Sequence, residues 1–89
     1  MEATKQKIIQ NICYTELVYG RINKKLATDF TKAEIEELIA NVLKNADASN
    51  YVKTGKNYYI SCSEQNIRIT VNSNTFRVIT VDRLEPNKR

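Results

Sequence analysis

Three segments in the second half of the chain alternate between apolar and polar positions. Their apolar members are Tyr58, Ile60 and Cys62, then Ile67, Ile69 and Val71, then Phe76 and Val78. Period-two alternation in stretches rich in β-branched and aromatic residues is typical of strands with one buried face. The pattern therefore predicts three antiparallel strands between residues 57 and 84.

The short polar connections predict how these strands pair. Asn tolerates a positive φ, so Ser73-Asn74 is suited to a two-residue hairpin turn, and residues 63–66 form the other connection. A slip of one residue would move every apolar side chain to the other face, so the register is strongly specified. The predicted pairs are all apolar: Val71–Phe76, Ile69–Val78, Cys62–Ile67, Ile60–Ile69 and Tyr58–Val71.

The opposite face of this predicted sheet is mixed in character. A tyrosine beside arginines on an open sheet can stack on bases and bind phosphates. An ordinary solvated face of an antiparallel sheet has a similar composition. The apolar pair at its far end favours contact with some partner. The residues predicted on this face are Tyr59, Ser61, Arg68, Thr70, Arg77, Ile79 and Val81.

The first half of the chain has helical periodicity. Residues 4–27 predict one long helix, and a kink or break near Gly20, giving two shorter helices, is the alternative. Its apolar stripe consists of Ile8, Ile12, Tyr19, Ile22 and Leu26. A second, largely basic stripe consists of Lys7, Tyr14, Arg21 and Lys25. Such a stripe can bind along a phosphate backbone. The alternative is that it is an ordinary solvent-exposed helix face.

A second helix is predicted over residues 31–46. Thr31 and Glu34 have the spacing of a capping box, in which each side chain bonds the other residue's backbone N–H. Apolar residues recur from Ile35 to Ala46 at helical spacing. Glu36 and Glu37 suit the first turn of a helix, where the dipole favours negative charge.

These elements predict an α+β fold for residues 1–89, taken as a single domain. Asn50–Thr54 is expected to be a short edge strand, and Gly55 is expected to supply the positive φ of the following turn. Two amphipathic helices would pack on one face of a three- to four-stranded antiparallel sheet, in the order ααββββ. Residues 50–84 form the meander, and residues 85–89 form a charged, frayed tail.

The amino-acid composition limits the kinds of catalytic and metal site that the chain can contain. The 89 residues include 14 Lys and Arg against 10 Asp and Glu, and the net charge is +4. The chain has no histidine and only two cysteines, so the common zinc spacings and histidine-dependent nucleophiles are excluded. No apolar run exceeds three residues, which argues against a signal peptide or membrane span. We expect a cytoplasmic setting with free thiols, and neither metal nor cofactor.

Two families resemble the chain. Several stretches resemble a small bacterial family of unknown function, which implies no activity: Asn11 to Arg21, Gly55, Asn57-Tyr58-Tyr59, Ile67 to Thr70, Asn72 to Thr75, and Arg77 to Arg83. The chain is also similar to RelE/ParE-type toxins, which are small basic proteins. Their ribonuclease members cleave with Lys, Arg and Tyr, a set that Arg68, Arg77 and Tyr59 could imitate. Those toxins begin with a strand, whereas this chain begins with a helix.

The sequence thus favours a binding module without catalytic activity that contacts RNA, DNA or a nucleoprotein through the open sheet face. The alternatives are a histidine-free ribonuclease, and a protein-interaction or homodimer module joined through Ile79 and Val81. The residues expected to make contact are Tyr59, Arg68, Thr70, Arg77, Ile79 and Val81 of the sheet, with Lys7, Tyr14, Arg21 and Lys25 of the helix.

Overall fold

The computed structural model describes residues 2–85 and consists of three helices followed by a four-stranded antiparallel sheet. The order of the strands in the sheet follows the chain, so β1 to β4 form a meander and the α+β class is confirmed. From Pro86 onward, the predicted tail lies outside the described residues. The elements are α1 (Glu2–Asn11), α2 (Glu16–Leu26), α3 (Lys32–Asn45), β1 (Tyr51–Thr54), β2 (Asn57–Cys62), β3 (Ile67–Asn72) and β4 (Val78–Arg83), with one 3-10 turn at Ala48–Asn50.

The single long helix predicted over residues 4–27 is wrong. The chain forms two shorter helices, as in the alternative, but the break lies at residues 12–15 and not near Gly20. The chain leaves the helix after Asn11 and re-enters it at Glu16, while Gly20 lies inside α2. Between the helices, the Cys13 N–H donates to the Phe76 carbonyl and the Cys13 carbonyl accepts from Val78, both at 2.9 Å. These bonds form an isolated parallel bridge between Cys13 and Arg77. A backbone group bonded sideways to a strand is not available for the i to i−4 bonds of a helix, so the helix stops.

The start of α3 agrees with the sequence pattern. The Glu34 N–H donates to the Thr31 hydroxyl at 3.1 Å, and the Thr31 N–H donates to the Glu34 carboxylate at 2.8 Å. This reciprocal pair is the predicted capping box. At the other end of α3, the ammonium of Lys5 donates to the carbonyls of Lys44 and Ala46 at 3.0 Å. It supplies a cation where a helix leaves its carbonyls unpaired.

β2 and β3 pair as predicted. Tyr58 lies opposite Val71, Ile60 opposite Ile69, and Cys62 opposite Ile67. β1 adds an edge strand, and its turn to β2 contains Gly55 with φ of 63°.

The pairing of β4 differs from the prediction. The Asn72 side chain accepts from the N–H groups of Asn74 and Thr75, at 2.8 and 2.9 Å, and this organises a longer loop than the two-residue turn expected. Val71 consequently lies opposite Val78, and a bulge on β4, where Ile79 is the extra residue opposite the Thr70–Val71 step of β3, shifts the register again.

The bulge changes which β4 side chains face the core. Beyond it, Val81 lies opposite Ile69 and is fully buried, whereas the regular alternation placed it on the open face. One extra residue in a strand reverses the facing of everything that follows, because the side-chain period is two.

One cluster of buried side chains joins the helices to a single face of the sheet. Its largest fully buried helical members are Ile8, Ile22, Ile35, Ile39, Val42 and Leu43, and those of the sheet are Ile60, Ile69, Val71, Val78 and Val81. Within residues 2–85, no helix has the length and apolar character needed to cross a bilayer.

Candidate functional site

The open face of the sheet retains only part of the predicted contact surface. The Arg68 guanidinium lies 5.9 Å from the centre of the Tyr59 ring, within the range of a cation–π contact. Thr70 lies between Tyr59 and Thr80 in the cross-strand row, but it is only 5 % exposed. Tyr59 and Arg68 are therefore the two predicted residues that this face brings together.

Asp82 connects this pair to α2. It lies opposite Arg68 on β4, and its carboxylate accepts a hydrogen bond from the Lys25 ammonium at 2.7 Å. The Arg68 guanidinium is 3.9 Å from the other carboxylate oxygen. The predicted helix stripe and the predicted sheet face thus meet around Asp82, a residue that no sequence pattern marks as part of a contact surface.

Arg77 and Ile79 lie apart from Tyr59. Arg77 is bridged to Cys13 and precedes β4, so it lies beside the start of α2. An open depression in that region is lined by apolar Leu17, Val18, Val78 and Ile79 and by the two arginines Arg21 and Arg77. Tyr59, Thr70 and Arg77 do not line up across the strands, because Thr80 takes the place opposite Thr70.

Val81 makes no contribution to a surface. Its side chain is fully buried in the core beyond the bulge, and the apolar pair that it was expected to form with Ile79 is absent. Ile79 is 38 % exposed.

The basic stripe predicted on one helix is divided by the break at residues 12–15. Lys7 lies on α1, and its ammonium is 5.8 Å from the centre of the Phe76 ring. Tyr14 stacks on Tyr19, with ring centres 5.7 Å apart and planes 18° from parallel. Lys7 and Tyr14 are thus engaged locally, and only Arg21 and Lys25 of the stripe lie together on α2.

The tyrosine pair forms a link between α2 and α3. The Tyr19 hydroxyl donates to the Glu36 carboxylate at 2.6 Å, and this bond raises the pKa of Tyr19 to about 12. Burial, reinforced by the negative charge of Glu36, raises the pKa of Tyr14 still further. Both phenols are therefore neutral near pH 7, and a raised pKa makes them poorer proton donors for catalysis at that pH.

Basic side chains concentrate on α2 and the adjoining end of β4. Arg21, Lys24 and Lys25 line a second open depression. With Arg77, which shares the other depression with Arg21, they form what we call the basic band: Arg21, Lys24, Lys25 and Arg77. All four are exposed. Lys24 was not among the predicted contact residues, although its spacing from Arg21 places it on the same helix face.

Few carboxylates neutralise the basic band. In the part of the chain that the structure describes, the ion pairs are Lys25–Asp82, Arg68–Asp82 and Lys32–Glu16. Only Lys25 of the band has a carboxylate partner there.

Residues 2–85 contain no group of three or more His, Cys, Asp or Glu side chains placed to hold a metal ion. The site therefore consists of cations beside a partly apolar depression.

The fold and this surface define a small α+β protein with a basic flank formed by a helix and the edge of a sheet. Residues 6–82 match the family described as protein of unknown function DUF3781, and the chain belongs to that family. No curated protein and no solved structure matches the chain. The similarity to RelE/ParE-type toxins consequently has no support from these comparisons.

Proposed function

We propose that this protein is a nucleic-acid-binding module that contacts phosphates through the basic band of α2 and β4. The observation that carries the proposal is the clustering of Arg21, Lys24 and Arg77, none of which has a carboxylate partner among the described residues. The surface differs from the one expected from sequence, since it lies at the β4 edge and not on the open sheet face.

The clustering has an energetic cost in the free protein. Arg21 and Lys24 are three residues apart on α2, and Arg21 and Lys25 are four apart, so like charges are neighbours on the helix. Such pairs destabilise a helix by about 0.2–0.5 kcal/mol each. Lys24 and Lys25 in the last turn recover part of this through the helix dipole. A bound polyanion would offset the remainder, and it would release counterions as it did so.

The Tyr59–Arg68 pair extends the proposed contact surface onto the open sheet face. Asp82 contacts both Lys25 and Arg68, and this places the Tyr59–Arg68 pair next to the Lys25 end of the basic band. An aromatic ring supplies a stacking surface that is tolerant of base sequence.

The geometry favours binding over the ribonuclease alternative. A ribonuclease of the expected kind requires Tyr59, Arg68 and Arg77 to surround one phosphate. Arg77 instead lies beside Arg21, on the other side of the bulge from Arg68. The homodimer alternative required Ile79 and Val81 on one surface, and Val81 is buried.

Fluorescence anisotropy with mixed-sequence RNA and DNA oligonucleotides at several salt concentrations tests the proposal. Replacing Lys24 by Ala should weaken binding and reduce the slope of log K against log salt by about 0.7–0.9, the contribution of one phosphate contact. Lys53→Ala is the matched control, because Lys53 is an exposed lysine on β1 at the opposite edge of the sheet. Absence of binding at low salt, or equal effects of the two substitutions, would refute the proposal.

A further inference from the structure

The depression between α2 and the start of β4 combines arginines, which suit phosphates, with exposed apolar side chains, which a phosphate backbone alone would not require. Leu17 is 83 % exposed, the most exposed large apolar side chain in the described part of the chain, and Ile79 is 38 % exposed. Val18 and Val78 line the same depression and are almost fully buried. Arg21 and Arg77 flank this apolar surface.

We infer that the nucleic acid bound by the basic band is single-stranded and that this depression receives an unpaired base. The inference rests on the proposed function and names the class of ligand for the same site. A base has a flat apolar face that can lie on Leu17 and Ile79, and the guanidinium planes of Arg21 and Arg77 can stack on a base or pair with the flanking phosphates.

A duplex does not match this surface. Its bases are stacked inside, and it presents phosphates and sugars to a surface that approaches from outside, so Leu17 would be placed against charged and polar groups. Desolvating an apolar side chain against such groups gains little, whereas contact with an unstacked base removes apolar area from water on both partners. Single strands also supply bases without the cost of unpairing them.

The position of the Tyr59–Arg68 pair agrees with a single strand that follows β4. From Ile79 to Asp82 is three residues, or about 10 Å along a strand, and Arg68 lies directly opposite Asp82. The apolar depression and the Tyr59 ring are thus two base-accepting surfaces, with Lys25 between them through its bond to Asp82. Both surfaces would contact the flat face that every base has, so we expect the protein to bind single strands with little preference for their sequence.

The test compares three fluorescent DNA probes of equal length by anisotropy at one salt concentration: a thymine homopolymer, the same backbone with every base removed, and a mixed-sequence duplex. The wild-type chain should bind the homopolymer at least about fivefold more tightly than the abasic strand, the low end of what one stacked base contributes. It should also prefer the homopolymer to the duplex.

Leu17→Ala connects this preference to the depression. It should weaken binding of the homopolymer about fivefold and leave binding of the abasic strand unchanged, because Leu17 would contact only the base. Lys24→Ala is the matched control and should weaken binding of both strands equally. Thermal melts establish that both variants are folded, as expected for substitutions at exposed positions.

The outcomes separate the two proposals. Equal binding of the homopolymer and the abasic strand, with a normal salt dependence, would overturn the assignment of a base to the depression and leave the phosphate-binding function standing. Tighter binding of the duplex would also overturn it. Failure of all three probes to bind, with binding to vesicles that contain phosphatidylserine, would overturn both proposals and assign Leu17 to a membrane surface.

Discussion

The bulge in the sheet makes a sharp prediction about two neighbouring apolar residues of β4. A regular strand would place Ile79 and Val81 on the same face and give their truncation similar effects. In the structure, Val81 is fully buried against Ile69, while Ile79 is 38 % exposed. Replacing each by Ala therefore separates the two arrangements.

The magnitude follows from what each substitution removes from the core. Val81→Ala deletes two buried methyl groups, at about 0.8 kcal/mol each for transfer from water, and leaves a cavity that adds to the cost. We expect a loss of about 2–3 kcal/mol in the free energy of unfolding. Ile79→Ala should cost about 0.5 kcal/mol, as most surface substitutions do.

Urea unfolding followed by circular dichroism measures the difference. With an m-value of about 1 kcal/mol per molar urea, expected for so small a protein, Val81→Ala should lower the midpoint by about 2 M and Ile79→Ala by about 0.5 M. Similar shifts for the two variants, or a larger one for Ile79→Ala, would contradict the bulge and the burial of Val81.

Two further predictions concern α2. Gly20 lies inside this helix with nothing within 4 Å of the position that a Cβ would occupy, so Gly20→Ala should raise the free energy of unfolding by about 0.5–1 kcal/mol, whereas Gly55→Ala should lower it because Gly55 has φ of 63°. A lower melting temperature for Gly20→Ala would show that α2 does not pass through residue 20. The raised pKa of Tyr19, about 12 against an ordinary 10.0, means that the folded chain holds this proton more tightly than the unfolded chain. The resulting stabilisation is complete below pH 10 and is lost as the pH rises through 12, so Tyr19→Phe should flatten the dependence of urea stability on pH in that interval, and an unchanged slope would exclude the Glu36 bond.

Local chemistry was sufficient for the elements whose determinants are close in sequence. The capping box of α3 needs only Thr31 and Glu34, three residues apart, and its bonds are the predicted ones. The register of β2 and β3 was also predictable, because a short connection leaves one arrangement in which Ile60 meets Ile69 and Cys62 meets Ile67.

The break between α1 and α2 had a local signal that helical periodicity concealed. Ile12, Cys13, Tyr14 and Thr15 are β-branched, aromatic or otherwise weak helix formers. Glu16 then supplies the acidic residue typical of a first turn. The apolar stripe ran through the interruption, since Ile12 and Tyr19 are both partly buried against the core. The deciding bonds join Cys13 to Phe76 and Val78, more than 60 residues away in sequence.

The candidate site also depends partly on local sequence and partly on contacts between residues that are distant in sequence. The sequence by itself determined the α+β class, the start of α3, the pairing of β2 with β3, and the basic side chains available for a contact. Only the tertiary structure decided where those side chains lie. The Asn72 loop and the bulge after Val78 buried Val81, and the Cys13 bridge brought Arg77 beside Arg21. Loop hydrogen bonds and a one-residue bulge leave the average hydrophobic pattern almost unchanged, yet each reverses or displaces every side chain that follows.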